Sequence, residues 1–427
     1  MRENGEKAGI EKISMGDKSF DHAEASASGF FYGHLIVVLS FIIMSAIWGA
    51  FYAFGVFYKP MLTEFGWTRA LTAGAFSICS VIQGLVSIAM GRFTDRYGPR
   101  VVMTTSGILA GLGYVLMYYV SHLWHLYVFY GLVLGIGMGG SFVPLISVVA
   151  RWFVEKRGMM TGIVAAGVGI GAFAGPPVAS RLISIYGWRA SYLIFGSVLA
   201  FVVVLCAQFL RHKPNRKKEG PKEKGEEGRS FSLREASHTI QFWAFFSMIV
   251  GMGFCVFAIM VHIVPRAIDV GIAPIDAANI LAAIGGLSIA GKIFFGRLGD
   301  RTGSIFVFII AFLLLLASLL WLIPAKSLWA FYLFAAVFGL AYGGGVTSES
   351  PLVAELFGLE NHGLILGIIA FGFTLGGAIG PFIVGYIFDV AGGYRPAFMV
   401  CSIISCVALI LALIIKKIGD VLKKFNN

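Results

Sequence analysis

The feature that most constrains this chain is a series of long apolar runs without charged residues. Twelve such runs, each near the length of about 20 residues that a helix needs to cross a bilayer, follow one another along 427 residues. They predict twelve membrane-spanning helices and exclude a water-soluble enzyme, a secreted scaffold or a nucleic-acid-binding protein. We place the spans at 34–58, 70–90, 101–120, 123–150, 158–180, 190–210, 240–264, 277–296, 303–325, 327–348, 363–388 and 396–415.

Basic residues are distributed unevenly between the two sets of loops. With the amino terminus inside, 25 of the 33 Lys and Arg residues fall in cytoplasmic segments and seven fall in outer loops. Cytoplasmic loops of membrane proteins carry such an excess of Lys and Arg. We therefore predict a multi-pass protein of the plasma membrane with both termini in the cytoplasm. The formal charge of +11 then reflects topology and not a nucleic-acid partner.

A polar segment divides the spans into six plus six. Residues 211–238 carry most of the loop charge, two prolines and no apolar run, which is typical of a linker. We predict a disordered cytoplasmic tail over 1–33, a six-helix bundle over 34–210, a cytoplasmic linker over 211–238, a second bundle over 239–416 and a cytoplasmic tail over 417–427.

The two halves repeat one another at an offset of 205 residues. GRFTDRYG at Gly91–Gly98 returns as GRLGDRTG at Gly296–Gly303. Duplicated six-helix halves place a substrate cavity between them near the midplane, and rocking of one half on the other gives alternating access. The predicted fold is an all-α membrane protein with twelve transmembrane helices in two pseudo-symmetric bundles.

These motifs resemble the major facilitator superfamily. GRFTDRYGPR at Gly91–Arg100 is similar to its loop 2–3 signature, and GAFAGP at Gly171–Pro176 to its span-5 motif. FGVFYKP at Phe54–Pro60 and GWRAS at Gly187–Ser191 resemble monocarboxylate transporters and oxalate/formate exchangers. The resemblance implies the major facilitator fold and a transporter, not an enzyme. No phosphate-binding loop occurs, so we expect gradients to supply the energy and no cofactor to be needed.

Lys292 is the one Asp, Glu, Lys or Arg inside the twelve predicted spans. An ionisable group at membrane depth costs at least about 2.5–3.5 kcal/mol, so it needs a partner or a use. A fixed cation in a low-dielectric cavity attracts a small anion. We predict that Lys292 binds the carboxylate of the cargo, and the resemblance puts it where monocarboxylate transporters carry a substrate-binding Arg. The alternative is a Lys that extends to the interface.

Two departures from these relatives bear on cargo and coupling. Ser288 stands where monocarboxylate transporters usually place an Asp, and span 11 lacks the second basic residue of oxalate exchangers. A small organic monoanion of the lactate, pyruvate or formate type is therefore favoured over a dianion. We expect proton-linked symport. Obligatory anion exchange is the alternative, followed by a facilitator or exporter of a neutral or cationic solute.

Further side chains are candidates for the substrate site. The resemblance places substrate-contacting aromatic residues at Tyr52, Phe338 and Tyr342, although helix packing is the alternative for each. His262 could serve as a proton switch near neutrality or as a hydrogen-bonding group between helices. The other polar candidates, besides Ser288, are Gln83 and Asn279.

Repeated loop residues are candidates for conformational gating. The resemblance implies that Asp95 holds the start of span 11 in the outward-open state. The gating set is Asp95, Arg96, Arg100, Asp300, Arg301, Gly175 and Pro176. The five cysteines all lie in spans and contain no CxxC, so we expect neither disulfides nor a metal site. The expected partners are a small organic anion, a proton and the lipid bilayer, with the protein a monomer.

Overall fold

A computed structural model describes residues 32–153, 157–211, 231–358 and 361–426, with side chains except at 88, 91, 95, 157, 158 and from 420 onward. This part of the chain is almost entirely helical and contains no β-strand. The predicted tail 1–33 and linker 211–238 lie largely outside it, so the domain boundaries stay a prediction. The long helices are α1 Tyr32–Phe65, α2 Arg69–Tyr97, α3 Pro99–Leu116, α4 Leu123–Trp152, α5 and α6 within Arg157–Gln208, α7 Ile240–Asp269, α8 Pro274–Thr302, α9 Ser304–Leu322, α10 Leu328–Phe357, α11 His362–Ala391 and α12 Tyr394–Asn426. A five-residue helix, Leu233–Ser237, precedes α7 in the predicted linker.

The helix count agrees with twelve predicted spans. Eleven continuous helices in the described ranges are long and apolar enough to cross a membrane. The run Arg157–Gln208 is 52 residues long, and Gly187 inside it is not helical, with φ 75° and ψ 165°. Gly187 therefore separates α5 from α6, which gives twelve. The predicted all-α, twelve-helix fold is confirmed.

The repeat seen in the sequence is also present in the backbone. Gly98 and Gly303, 205 residues apart, both have positive φ, with φ/ψ of 84°/158° and 86°/151°. Other residues rarely adopt this conformation, and it ends α2 and α8 in the same way. The same offset relates Gly66 to Gly271 and Gly187 to Gly392, which also have positive φ.

Small residues bring the two halves together. A Cβ atom added to Gly55 on α1 would lie 2.6 Å from the carbonyl oxygen of Met260 on α7. One added to Gly285 on α8 would lie 2.6 Å from the Cβ atom of Ala172 on α5. Helix α2 packs on α11 in the same interface. Close approach at small residues is the common way in which membrane helices associate.

Gly175 and Pro176 lie where α5 crosses α1 within the first half. A Cβ atom on Gly175 would overlap the carbonyl oxygen of Gly49, and Pro176 is buried inside the helix. These residues therefore allow two helix backbones to touch. Their role in gating stays a prediction.

The bundle has two ends, which we name by the helix connections that each carries. The proximal end carries both termini of the described chain and the α2–α3 and α8–α9 connections; the distal end carries the α1–α2, α7–α8 and α11–α12 connections. Helices α10 and α12 continue beyond the predicted span ends, to Phe357 and Asn426. The extension of α10 places two additional acidic residues, Glu349 and Glu355, in this helix.

Candidate functional site

A pair of tyrosines joins the two halves at the centre of the bundle. The hydroxyl oxygens of Tyr52 on α1 and Tyr342 on α10 are 3.3 Å apart. Phe257 of α7 stacks on the Tyr52 ring, and Phe373 of α11 stacks on the Tyr342 ring. Four helices from both halves therefore contribute aromatic rings to one cluster. The structure brings the sequence candidates Tyr52 and Tyr342 into contact.

Trp48 adds an unused hydrogen-bond donor beside this cluster. Its ring is 5.7 Å from the Tyr52 ring, one turn away on α1. The indole Nε1 is buried and has no hydrogen-bond partner among the described residues. An unsatisfied buried donor costs about 1–3 kcal/mol, so it favours a ligand that supplies an acceptor. A carboxylate oxygen is such an acceptor.

Lys292 lies on α8 at the crossing with α10. Its backbone nitrogen would be 2.8 Å from a Cβ atom on Gly343, the residue after Tyr342. One turn earlier on α8, Ile289 contacts Gly169 of α5 in the other half. Lys292 is half-buried, and among the described residues its ammonium group forms no hydrogen bond or ion pair. The unpaired ammonium group of Lys292 therefore belongs to a residue at the interface of the halves, where α8 crosses α10 one residue after Tyr342.

The remaining polar and aromatic candidates differ in their surroundings. Ser288 is buried, and its hydroxyl donates to the Gly285 carbonyl in its own helix at 2.7 Å. Phe338 is fully buried against Phe334. In the described structure Gln83 on α2 and Asn279 on α8 are partly buried and form no hydrogen bond. None of these contacts tests their role in binding substrate.

Glu349 on α10 is an acidic residue that sequence reasoning missed. The predicted span ended at residue 348, but α10 continues through Phe357. The Glu349 atom Oε1 is buried and has no hydrogen-bond partner within the described ranges. Lys292 is therefore not the sole Asp, Glu, Lys or Arg within the described membrane helices, although it is the one inside the predicted spans. Extending the tenth predicted span past its first charged residue would have included Glu349.

His262 lies at the distal end of α7. Its Nε2–H donates to the carbonyl oxygen of Pro381 at 2.8 Å, and its Nδ1 is 3.0 Å from the hydroxyl oxygen of Tyr394. The Arg69 guanidinium donates to that same hydroxyl oxygen, which leaves the hydroxyl proton for Nδ1. The geometry is that of a neutral imidazole. The structure thus places His262 in a helix-to-helix network.

Ionic contacts in this network join the two halves. Asp269 of α7 accepts from Lys59 of α1 and Arg69 of α2, each at 2.5 Å. Asp389 of α11 accepts from the first amides of α2, those of Arg69 at 2.9 Å and Ala70 at 2.7 Å. We call the whole set the distal lock: Tyr58, Lys59, Arg69, His262, Asp269, Asp389 and Tyr394. It closes the distal end of the bundle in this structure.

The loop residues predicted to gate the carrier lie at the proximal end. Arg96 is exposed over the Tyr97 ring, and Arg100 donates to the side chain of Gln208 at 2.8 Å. Asp300 and Arg301 are exposed at the end of α8. The side chain of Asp95 lies outside the described residues. Their part in gating stays a prediction.

Comparisons with known proteins agree with this geometry. A sequence profile described as Major Facilitator Superfamily matches residues 37–286 and 263–426. Monocarboxylate transporter 13 of Bos taurus is 28% identical over 87% of this chain and 86% of its own length. The Oxalate:formate antiporter of Oxalobacter formigenes is 25% identical over 91% and 93%.

A solved structure shows the same fold. The bacterial homologue of the human lysosomal transporter Spinster, in an inward-facing and unoccupied conformation, superposes with a TM-score of 0.76 at 14% identity, covering 90% of this chain and 97% of that one. With the profile covering nearly all of the twelve helices, the chain belongs to the major facilitator superfamily and is a multi-pass membrane transporter related to the monocarboxylate transporters and the oxalate:formate antiporter.

Proposed function

We propose that the protein is a secondary active transporter of small organic monocarboxylates of the lactate, pyruvate or formate type. The observation that carries this proposal is the unpaired ammonium group of Lys292 at the interface of the two halves. A cation at this depth needs a counter-charge, and a cargo carboxylate supplies one. The names of the relatives, a monocarboxylate transporter and an oxalate:formate antiporter, support an anionic cargo.

The surroundings of Lys292 favour an anion with one charge and a short apolar body. Tyr52, Tyr342 and Trp48 offer O–H and N–H donors to carboxylate oxygens, and their rings pack against an alkyl group. Helix α11 carries no Lys or Arg between His362 and Ala391. A second carboxylate of a dianion would therefore lack a basic partner on that helix.

The proposed topology places the proximal end in the cytoplasm of the cell, at the plasma membrane. The excess of Lys and Arg in the proximal segments supports this orientation. The distal lock then closes the side facing outside. We assign His262 to this closure and not to substrate contact, because both of its ring nitrogens already have partners there.

We propose proton-linked symport as the coupling mode. The alternative is obligatory exchange of anions, which the similarity to the oxalate:formate antiporter favours. The two modes differ in one measurable respect: symport accumulates a monocarboxylate against its gradient when a pH difference is imposed, whereas exchange requires a counter-anion inside.

The test uses purified protein in proteoliposomes and labelled formate, lactate, pyruvate and oxalate, with and without a pH difference. We expect uptake of one or more monocarboxylates, with oxalate a poor competitor. Lys292→Ala should abolish uptake and Lys292→Arg should keep part of it. Lys326→Ala, which removes an exposed Lys at the α9–α10 connection, is the matched control and should transport normally.

Three outcomes would contradict the proposal. Absence of uptake of every monocarboxylate in folded wild-type protein refutes the cargo class. Normal uptake by Lys292→Ala removes Lys292 from the site. Equal or stronger competition by oxalate shows that a second cation binds the cargo.

A further inference from the structure

Glu349 is an ionisable residue of the membrane helix α10, and the proposed substrate site gives its carboxyl group no role. Its Oε1 atom is buried and has no partner among the described residues. The other acid on this helix, Glu355, accepts from the Ser304 amide at 3.0 Å and the Ser304 hydroxyl at 2.6 Å, and so caps the start of α9. Glu355 therefore has a structural role, whereas Glu349 has no such role.

The register of α10 relates Glu349 to the centre of the bundle. Glu349 follows Tyr342 by seven residues, so the two lie on the same helix face about 10.5 Å apart, with Glu349 on the proximal side. Lys292 meets α10 at Gly343, whose Cβ position is 2.8 Å from the Lys292 backbone nitrogen. Glu349 is six residues, or about 9 Å of rise, beyond that crossing. Six residues also place Glu349 about 120° around α10 from Gly343, on the face of Tyr342. The Lys292 side chain therefore has to extend past the Gly343 crossing to approach it.

The helices packed against α10 offer Glu349 few charged groups. The described helices that pack most extensively against α10 are α7, α8, α9 and α11; Tyr52 of α1 also contacts α10, and Phe231 contacts its C-terminal end. Helix α9 has no ionisable residue, and α7 has only Cys255 before His262. The charged groups and the histidine on the other elements are Asp276 at the distal start of α8, Lys292 within it, Arg297, Asp300 and Arg301 near its proximal end, and His362 and Asp389 at opposite ends of α11.

His362 and Asp389 have partners elsewhere. The Nε2 of His362 is 3.0 Å from the carbonyl oxygen of Ser350, and Asp389 binds the start of α2 in the distal lock.

Arg297 lies level with Glu349 but is exposed. It follows Gly296, whose Cβ position is 3.2 Å from Thr347. Within the described residues, Lys292 is the half-buried unpaired cation on the central side of Glu349. A buried carboxylate without a counter-charge is strongly disfavoured, and so is a buried ammonium.

We infer that Glu349 is the proton-carrying residue of the transporter. In the empty carrier Glu349 is ionised and the ammonium group of Lys292 is its counter-charge, although the two side chains form no ion pair in this structure. When a substrate carboxylate binds Lys292, Glu349 loses its counter-charge and takes a proton from the medium on its carboxylate oxygen. One anion and one proton then cross together, with no net charge moved, and both leave on the other side. This inference rests on the proposed function.

The decisive experiment compares steady-state accumulation in proteoliposomes for wild type, Glu349→Gln and Glu355→Gln. The probe is whichever of labelled formate, lactate or pyruvate the wild type carries. A pH difference of one unit drives at most about tenfold accumulation in one-to-one symport. We expect a ratio near ten for wild type and Glu355→Gln, and near one for Glu349→Gln, which should still exchange external for internal anion. The ratio does not depend on the amount of active protein.

A second measurement detects the proton directly. Addition of the same anion to detergent-solubilised protein in weak buffer should raise the pH by about one proton bound per anion in wild type, and by none in Glu349→Gln. If Glu349→Gln does not fold, Glu349→Asp decides: it retains an ionisable carboxyl and should still accumulate the anion.

The outcomes separate this inference from the function on which it rests. Full accumulation or normal proton uptake by Glu349→Gln overturns the assignment, and so does an uncoupled but folded Glu349→Asp. Equal loss of coupling in Glu355→Gln shows a general effect of the substitution and also overturns it. Exchange without any response to pH in wild type refutes proton coupling at Glu349 but leaves anion transport intact. Absence of all monocarboxylate transport refutes the proposed function itself.

Discussion

Neutralising Asp269 tests whether the distal lock controls alternating access. Asp269, on α7 of the second half, forms ion pairs with Lys59 and Arg69 of the first half, with N–O distances of 2.5 Å. These contacts cannot persist when the distal ends of α1 and α2 separate from α7. Asp269→Asn should therefore destabilise the distal-closed state and leave the distal-open state, in which these groups are hydrated, nearly unchanged.

The expected size of the effect depends on the exposure of the three side chains. The Arg69 side chain is 9% exposed, that of Asp269 21% and that of Lys59 32%. A charge-assisted hydrogen bond to a buried group such as Arg69 contributes about 1.5–3 kcal/mol. The more exposed pair with Lys59 adds at most about 1 kcal/mol. A net loss of about 2–3 kcal/mol shifts the ratio of open to closed states about 30- to 150-fold.

The assay measures the distance between the distal ends of the two halves by pulsed electron paramagnetic resonance. Nitroxide labels at Thr63→Cys and Ala273→Cys, two exposed positions, report it in a chain whose five native cysteines are replaced by Ala. Glu64→Gln is the matched control. Glu64 binds Arg189 and Trp188, all within the first half, so its loss should not change the distance between the halves. A distance distribution for Asp269→Asn that matches the control would refute the lock.

Two further substitutions test the central site and the helix crossing. Tyr342→Phe removes a hydroxyl that contacts Tyr52, and we expect KM for the transported anion to rise about 2- to 12-fold, from the usual 0.5–1.5 kcal/mol of a hydrogen bond. The control is Tyr192→Phe, which alters a fully buried tyrosine of α6 and should leave KM unchanged. An unchanged KM in both variants would remove Tyr342 from the site. Gly175→Ala places a Cβ atom against the Gly49 carbonyl and should lower the free energy of unfolding by about 1–3 kcal/mol, and with it the melting temperature. Gly162→Ala, on the same helix but with open space around it, is the control and should melt as the wild type does. Equal melting temperatures for the two variants would refute the close α1–α5 contact.

The sequence was sufficient to predict the architecture because the membrane imposes it. Each span must satisfy its backbone hydrogen bonds internally, so long apolar runs report helices directly. The duplicated loop motif predicted the two-fold repeat, and Gly98 and Gly303 adopt the same backbone conformation. The boundary between α5 and α6 was less accurate. Hydropathy predicted a gap between 180 and 190, whereas one glycine separates two otherwise continuous helices.

The charged residues of the site were harder to predict for a physical reason. Hydropathy ends a span at its first charge, but an α-helix continues as long as its backbone hydrogen bonds are made. Arg69, Glu349 and Asp389 each lie one residue outside a predicted span, yet all belong to membrane helices of the structure. Their partners are also remote in the sequence: Arg69 binds a carboxylate 200 residues later. No local pattern contains such a pairing.

The distribution of charge partners separates the two tasks of a transporter. In the distal lock, Arg69 has Asp269 and Tyr394 as partners, and Asp389 caps the start of α2, so this end is stable without cargo. In the described structure the Trp48 indole and the Lys292 ammonium group have no polar partner at the centre, and Glu349 Oε1 has none on its proximal side. Under the proposed function, a bound carboxylate supplies the missing partners at the centre. Because the lock contributes only a few kcal/mol, a cargo that binds the distal-open state a few kcal/mol more tightly than the distal-closed state is sufficient to open it.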